Sequence, residues 1–246
     1  FVIENPAAWT PETPDLYTSI SKIYEGDVLK DQYSTTFGIR TVEVRQGEGF
    51  FLNGKRVQFK GVCNHHDLGP LGGIAPELIK ACDEMGMMVM AESFDEWATA
   101  KVQNGYHTVF GEWAEKDIVN LVRHFRNNPS VVMWCIGNEV PDQWAGDKGP
   151  KLSLWLQNIC HREDPTRPVT QGMDAPDAVV NNNMAAVMDV PGFNYRPFKY
   201  IENYKNHQFA GSLQIPGSAT VHAQIPRPPV LLLRCGTLRV VQSSRR

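Results

Sequence analysis

The stretch Val131-Val132-Met133-Trp134-Cys135-Ile136-Gly137-Asn138-Glu139-Val140 restricts the possible folds of this chain more than any other. A short apolar run with β-branched residues that stops at a polar pair reads as a strand buried on both faces, the pattern of parallel sheets covered by helices. In α/β barrels the residues just past the carboxyl end of such a strand line the active site. The run therefore predicts a carboxylate, Glu139, at the mouth of a site, with Asn138 beside it. The competing interpretation is that Asn138 and Glu139 merely open a solvated loop. The upstream segment argues for the site, because a helix-like stretch and the turn His124-Phe125-Arg126-Asn127-Asn128-Pro129-Ser130 lead directly into the strand.

At 246 residues and 42% hydrophobic content the chain can bury the core of one barrel-sized domain or of two smaller ones. A net charge of -3 provides no basic footprint, so nucleic acid is not an expected partner. No apolar run approaches the roughly 20 residues needed to span a bilayer, so no membrane partner is expected either. The opening Phe1-Val2-Ile3-Glu4-Asn5-Pro6 lacks a basic or apolar leader, and any targeting segment is expected upstream of residue 1. The five cysteines are odd in number and show no CxxC spacing, which favours buried free thiols over disulfides or zinc.

In chain order, Leu16 to Tyr24 alternates apolar with polar residues, Gly26-Asp27 offers a turn, and Thr41 to Arg45 alternates again. Such strands need neighbours, so residues 1–46 read as the end of a β-sandwich whose front is missing. Trp9 and Tyr17 are expected to pack locally. Asn53-Gly54 between apolar runs signals a hairpin, and its second run leads through Gln58 to Cys63, the first strand of a barrel, ending in Asn64-His65-His66-Asp67. Neighbouring histidines on an extended segment point to opposite faces and do not readily ligate one ion, so no metal or other cofactor is expected. Residues 75–86 read as a helix with Pro76 early and Gly86 just past its end. Met87 to Ala91 is another short strand, ending in Glu92-Ser93-Phe94-Asp95-Glu96-Trp97. Trp113, Ile118, Leu121, Val122 and Phe125 then recur at helical spacing, with Trp113 expected in the core. Leu152, Trp155, Leu156 and Ile159 mark a further helix.

The wording of several of these segments resembles glycoside hydrolase family 2, the beta-galactosidase and beta-glucuronidase family. It is carried by Phe37-Gly38-Ile39-Arg40, Gly61 to Asp67, Phe94 to Trp97 and, above all, Asn128 to Val140. The resemblance implies an α/β fold, a partial (β/α)8 TIM barrel over residues 47–206, preceded by the last strands of an immunoglobulin-like β-sandwich over 1–46. It implies Glu139 as the catalytic acid/base, with His65, Glu92, Asn138 and Tyr195 binding substrate. It also makes Asp164 to Thr170 the entry to the fifth barrel strand and Val187 to Tyr195 the sixth, with Asn194-Tyr195 at its pocket end. The chain also departs from the family. Between the first strand and the helix at 75–86, a family member has another helix and a further strand. One βα unit, about 31 residues if roughly 250 are shared by eight, is expected to be absent.

Residues 207–246 change character, with five Arg, four Pro and no Asp, Glu or Lys. They show no family resemblance. Where the family has a strand with the nucleophilic glutamate after Gly-Ser, this chain has Gly211-Ser212-Leu213 and Gly217-Ser218-Ala219. The implied activity is that of a retaining glycosidase of terminal β-linked sugars, beta-galactosidase-like in substrate, impaired or inactive for want of the nucleophile. Two alternatives stand beside it. In one, Glu92 or Glu96 replaces the nucleophile; in the other, the chain is a carbohydrate-binding or subunit-interaction protein without chemistry. The partner expected in each case is a carbohydrate such as a β-galactoside, with a homo-oligomer possible through exposed strand edges.

Overall fold

A computed structural model describes residues 2–45, 48–64, 76–195 and 238–243. Its centre is a six-stranded sheet. Four parallel neighbours form most of it: β7 (Met88–Glu92), β8 (Val131–Asn138), β9 (Val169–Met173) and β10 (Val190–Phe193). Helices α1 (Pro76–Met85), α2 (Phe110–Phe125) and α3 (Lys148–Glu163) alternate with these strands, and α4 (Pro176–Asn181) is a short crossover before β10. The apolar periodicity accounts for the helices. Phe110, Ala114, Ile118, Val122 and Phe125 form one buried stripe on α2 and pack against the sheet. That stripe leaves Trp113 outside, 44% exposed with the Lys116 ammonium 4.4 Å from its ring, contrary to the core position expected for it.

All eight residues of β8 are buried, for a reason legible in the packing. Val131, Trp134 and Ile136 join the cluster beneath the helices, whereas Val132, Met133 and Cys135 join a second cluster on the opposite face with Met88, Met90, Phe50, Leu52 and Trp9. That opposite face is covered by a three-stranded antiparallel sheet of β3 (Val42–Arg45), β4 (Gly49–Leu52) and β5 (Lys55–Val57). The hairpin between β4 and β5 turns at Asn53 and Gly54, both with positive φ, as the Asn-Gly signal requires. Asn53 also binds back through its side chain, accepting from Thr41 N and donating to the Trp9 carbonyl.

The segment ahead of this small sheet forms a separate hairpin, β1 (Tyr17–Glu25) with β2 (Val28–Phe37), on which Ile20, Ile23, Val28 and Tyr33 are exposed. It is an immunoglobulin-like fragment preceding the barrel part. Its exit is tied to the amino end of β8. Gly38 lies against Pro129, Arg40 donates to the carbonyls of Pro129 (2.9 Å) and Val131 (2.5 Å), and the Trp9 indole donates to the Asp83 carbonyl. Arg167, paired with Asp164, reaches Val131, Asn128 and Arg126 from the other side. Burial and then the Arg167 charge push the Arg40 guanidinium well below its ordinary value, against the pull of Asp164 and Asp83.

Among the described residues the sheet does not close into a barrel. Beyond β7 the order continues to β11 (Leu238–Ser243) and then β6 (Phe59–Asn64), and β11 runs antiparallel to both neighbours. Two strands antiparallel to a common neighbour are parallel to each other, so β6 and β7 stand one strand apart, where a second parallel barrel strand belongs. Only residues 65–75 separate β6 from α1, too few for a βα unit. Residues from the tail, to which the amino-acid pattern assigned no element, occupy the gap. Cys82, Cys135 and Cys160 are buried free thiols, as expected.

Candidate active site

The carboxyl ends of β7, β8 and β10 converge on one rim. The β8 backbone is held there by Asn138 N donating to the Phe94 carbonyl (2.9 Å) and Glu139 N donating to the Gly172 carbonyl (2.8 Å). Gly137 is needed just before the pair, because a Cβ there would meet the Trp97 indole, which donates to the Ile136 carbonyl at 2.9 Å. Glu139 has φ +49°, a left-handed conformation that costs a non-glycine residue about 1–2 kcal/mol. The left-handed residue ends the extended backbone of β8 at the rim.

Five side chains meet there. Asn194 Nδ2 donates to Glu139 Oε1 at 2.7 Å and to Asn138 Oδ1 at 2.9 Å, and Asn138 Nδ2 donates to Asp95 Oδ1 at 3.2 Å. The Lys101 ammonium binds Asp95 Oδ1 at 2.8 Å and the Asn138 carbonyl at 3.2 Å. Asn194 is fully buried, and its backbone N–H extends the β10–β9 ladder to the Met173 carbonyl. Tyr195, the neighbour expected to bind substrate, is about half exposed with φ +58°. The chain had marked the pair Asn194-Tyr195 as a strand end. The amide that reaches Glu139 belongs to Asn194, and the signal for it was the one that picked out Asn138, an Asn at the end of a short apolar run.

Glu92 ends β7, buried at 4% exposure, with the Cys135 thiol 3.1 Å from its carboxylate; the register pairs these two residues across the strands. It also lines a cavity of about 590 Å³ with Asp95, Lys101, Tyr106, Asn120 and His124 on its walls; Asp95 and Lys101 connect that cavity to Asn138, but neither Asn138 nor Glu139 lines it. His65 lies outside the described residues, so its placement beside this rim stays an expectation from the sequence.

Glu96 has another task. Its buried carboxylate accepts the backbone N–H groups of Lys101, Val102 (3.3 Å) and His107 (3.4 Å) and contacts His107 Nδ1 at 3.0 Å, with Gly105 packed against it. Burial works against its ionisation, but these donors outweigh burial and hold the carboxyl below its ordinary value. An oxygen pair so engaged is a loop anchor, which removes Glu96 as a replacement nucleophile. The loop it anchors is the one that carries Lys101. A second tie comes from the 3₁₀ turn after Glu139, where Asp142 accepts from Thr99 N and Oγ1 (both 3.0 Å) and Gln143 bridges to Asp174 and Ala175. Neither tie was foreseen, because the polar residues in these loops follow no period.

The family model for the glycosyl hydrolases family 2 TIM barrel domain matches residues 73–211, more than half of the chain, and a second model, glycosyl hydrolases family 2, matches residues 1–40. The chain belongs to glycoside hydrolase family 2. A beta-galactosidase of Bacteroides ovatus is 35% identical over 251 aligned residues, covering 78% of this chain and 30% of that protein. Among solved structures, a family 2 member from Bacteroides cellulosilyticus superposes with a TM-score of 0.72 at 32% identity, over 82% of this chain and 29% of that one. A beta-glycosidase from Bacteroides vulgatus gives a TM-score of 0.71 at 31% identity, over 83% and 29%. The chain thus spans less than a third of the length of these relatives. These relatives are glycosidases, and the rim with Asn138 and Glu139 lies at the carboxyl ends of this chain's parallel strands.

Proposed function

We propose that this chain carries the acid/base half of a retaining glycosidase acting on terminal β-linked sugars, beta-galactosidase-like in substrate. The observation that supports this most directly is Glu139, just past the end of a buried parallel strand, with the Asn194 amide on one carboxyl oxygen. In the double-displacement route the acid protonates the departing glycosidic oxygen, and the same group as base later deprotonates the attacking water. Asn138 beside it suits the sugar 2-hydroxyl, a contact that strengthens in the oxocarbenium-like transition state. His65, Glu92 and Tyr195 complete the proposed substrate pocket.

The route also needs a carboxylate nucleophile about 5–5.5 Å from the acid. With Glu96 engaged elsewhere and no glutamate in the Gly-Ser phrases of the tail, we propose that the 246-residue chain lacks this partner and turns over substrate at or near background. General acid help alone is worth about 10²–10⁴-fold, well below the rate enhancement of about 10⁶-fold or more usual for enzymes.

The test is hydrolysis of an aryl β-galactoside with and without added azide, a small anion able to stand in for the missing carboxylate. Without azide no turnover is expected. With it, α-galactosyl azide should form, and Glu139→Gln should suppress the reaction of poor leaving groups while sparing activated ones. Turnover without azide, with retained configuration and lost on Glu92→Gln, would overturn this reading in favour of Glu92 as nucleophile.

A further inference from the structure

We infer that Asn194 is a positioning residue that decides which oxygen of Glu139 carries the transferred proton and sets the orientation of the Asn138 amide; the inference rests on Glu139 being the acid/base. The Asp95 carboxylate, paired with the Lys101 ammonium at 2.8 Å, can only accept hydrogen bonds. The Asn138 atom 3.2 Å from Asp95 Oδ1 is therefore the amide nitrogen, which leaves the Asn138 oxygen facing Asn194. The Asn194 atom 2.9 Å from that oxygen is then the amide nitrogen, and the same nitrogen lies 2.7 Å from Glu139 Oε1. The ion pair at one end of the row gives the two amides one polarity only.

Two consequences follow for the chemistry. Both Asn194 Nδ2 protons are used, one on each acceptor, so Oε1 of Glu139 is already occupied as an acceptor. The proton that Glu139 gives to the leaving group, and the one it later takes from water, then travel on Oε2. Asn138 donates one Nδ2 proton to Asp95 and retains the other for the sugar 2-hydroxyl, with its orientation no longer free. Asn194 can enforce this because it is fully buried and its backbone is fixed in the β10–β9 ladder. A flexible side chain on a loop would leave both choices open.

The experiment is side-chain amide NMR on the 246-residue chain labelled with ¹⁵N at asparagine, with Asn194→Ala identifying the Asn194 signals. These should exchange with water about tenfold more slowly than an exposed asparagine amide, as for a hydrogen bond to a charged acceptor. They should also move on acidification. Among the described residues, the other charged groups near the row are Asp95 and Lys101, which touch it, and Glu92 on β7, which shares a cavity wall with both. Movement that persists in Asp95→Asn and Glu92→Gln but vanishes in Glu139→Gln supports the assignment. Movement that survives Glu139→Gln, or exchange as fast as that of an exposed amide, overturns it. Should Asn194→Ala fail to fold, sequential assignment of the parent chain identifies the same signals and the Glu139→Gln comparison still decides. The readout needs no turnover, so it can fail while the acid/base role stands, and the azide experiment can fail while the hydrogen-bond row stands.

Discussion

Glu96→Gln isolates a carboxylate whose work is structural. The glutamate offers two acceptor oxygens to four donors from Lys101, Val102 and His107. A glutamine keeps one acceptor and turns an NH₂ group toward N–H donors. The bonds to Lys101 N and His107 Nδ1 are the short ones, and losing one charge-assisted bond while leaving a donor facing a donor costs about 2–4 kcal/mol. The loss falls on the loop and not on the sheet, because the carboxylate's partners all lie within residues 101–107. Native-state hydrogen exchange should therefore show the amides of Lys101, Val102 and His107 opening about 30- to 700-fold more often, while the β8 amides keep their protection. The pH dependence has a definite sign. The folded carboxyl sits below its ordinary value, so on acidification the unfolded loop binds the proton first and stability is lost as pH falls through the folded value. The parent loop should stay protected from neutral pH down into the acid range and then open, and Glu96→Gln should be flat over that window. Equal protection of the two proteins at neutral pH would refute the reasoning.

Other outcomes are expected elsewhere in the fold. Arg167→Met leaves Asp164 buried without its partner and should cost about 3–5 kcal/mol in urea unfolding, whereas a loss no larger than that of an exposed ion pair would show the network to be dispensable. Gly86→Ala places a Cβ at φ +73° against the Pro11 carbonyl and should destabilise by about 1–3 kcal/mol; an unchanged melting temperature would contradict the close approach. Burial, then the Asp83 charge, pushes the Cys82 thiol up to about 11, so it should resist thiol reagents at neutral pH until the chain is denatured. The six-stranded sheet ends at β6 and β10, each hydrogen-bonded to one neighbour among the described residues, so the purified chain should self-associate with rising concentration. A monodisperse monomer at tens of micromolar, on the order of cellular enzyme concentrations and above, would count against this.

Much of the architecture follows from local pattern alone. The continuous apolar run at 131–136 requires burial on both faces, since a strand with one wet face would alternate, and the structure supplies helices on one side and the β3–β5 sheet on the other. The α2 stripe, the turn at Asn53-Gly54 and the stop at Gly86 are likewise written in spacing and in residues that tolerate positive φ. The amino-acid order also marked Asn138 and Glu139, because a polar pair closing a buried strand has only the rim to occupy. What spacing does not encode is which distant residues meet. Trp113 satisfies the helical period yet faces outward, because Ala114 and Ile118 claim the sheet side. Glu96 reads as one more loop acid until the chain folds back and brings three backbone N–H groups to it. Asn194, 55 residues beyond Glu139, reaches its carboxylate only through the parallel alignment of β8, β9 and β10. Local periodicity sets which face of an element is buried, whereas the partners of a polar side chain depend on contacts between segments far apart in the chain, and only the tertiary structure decides those.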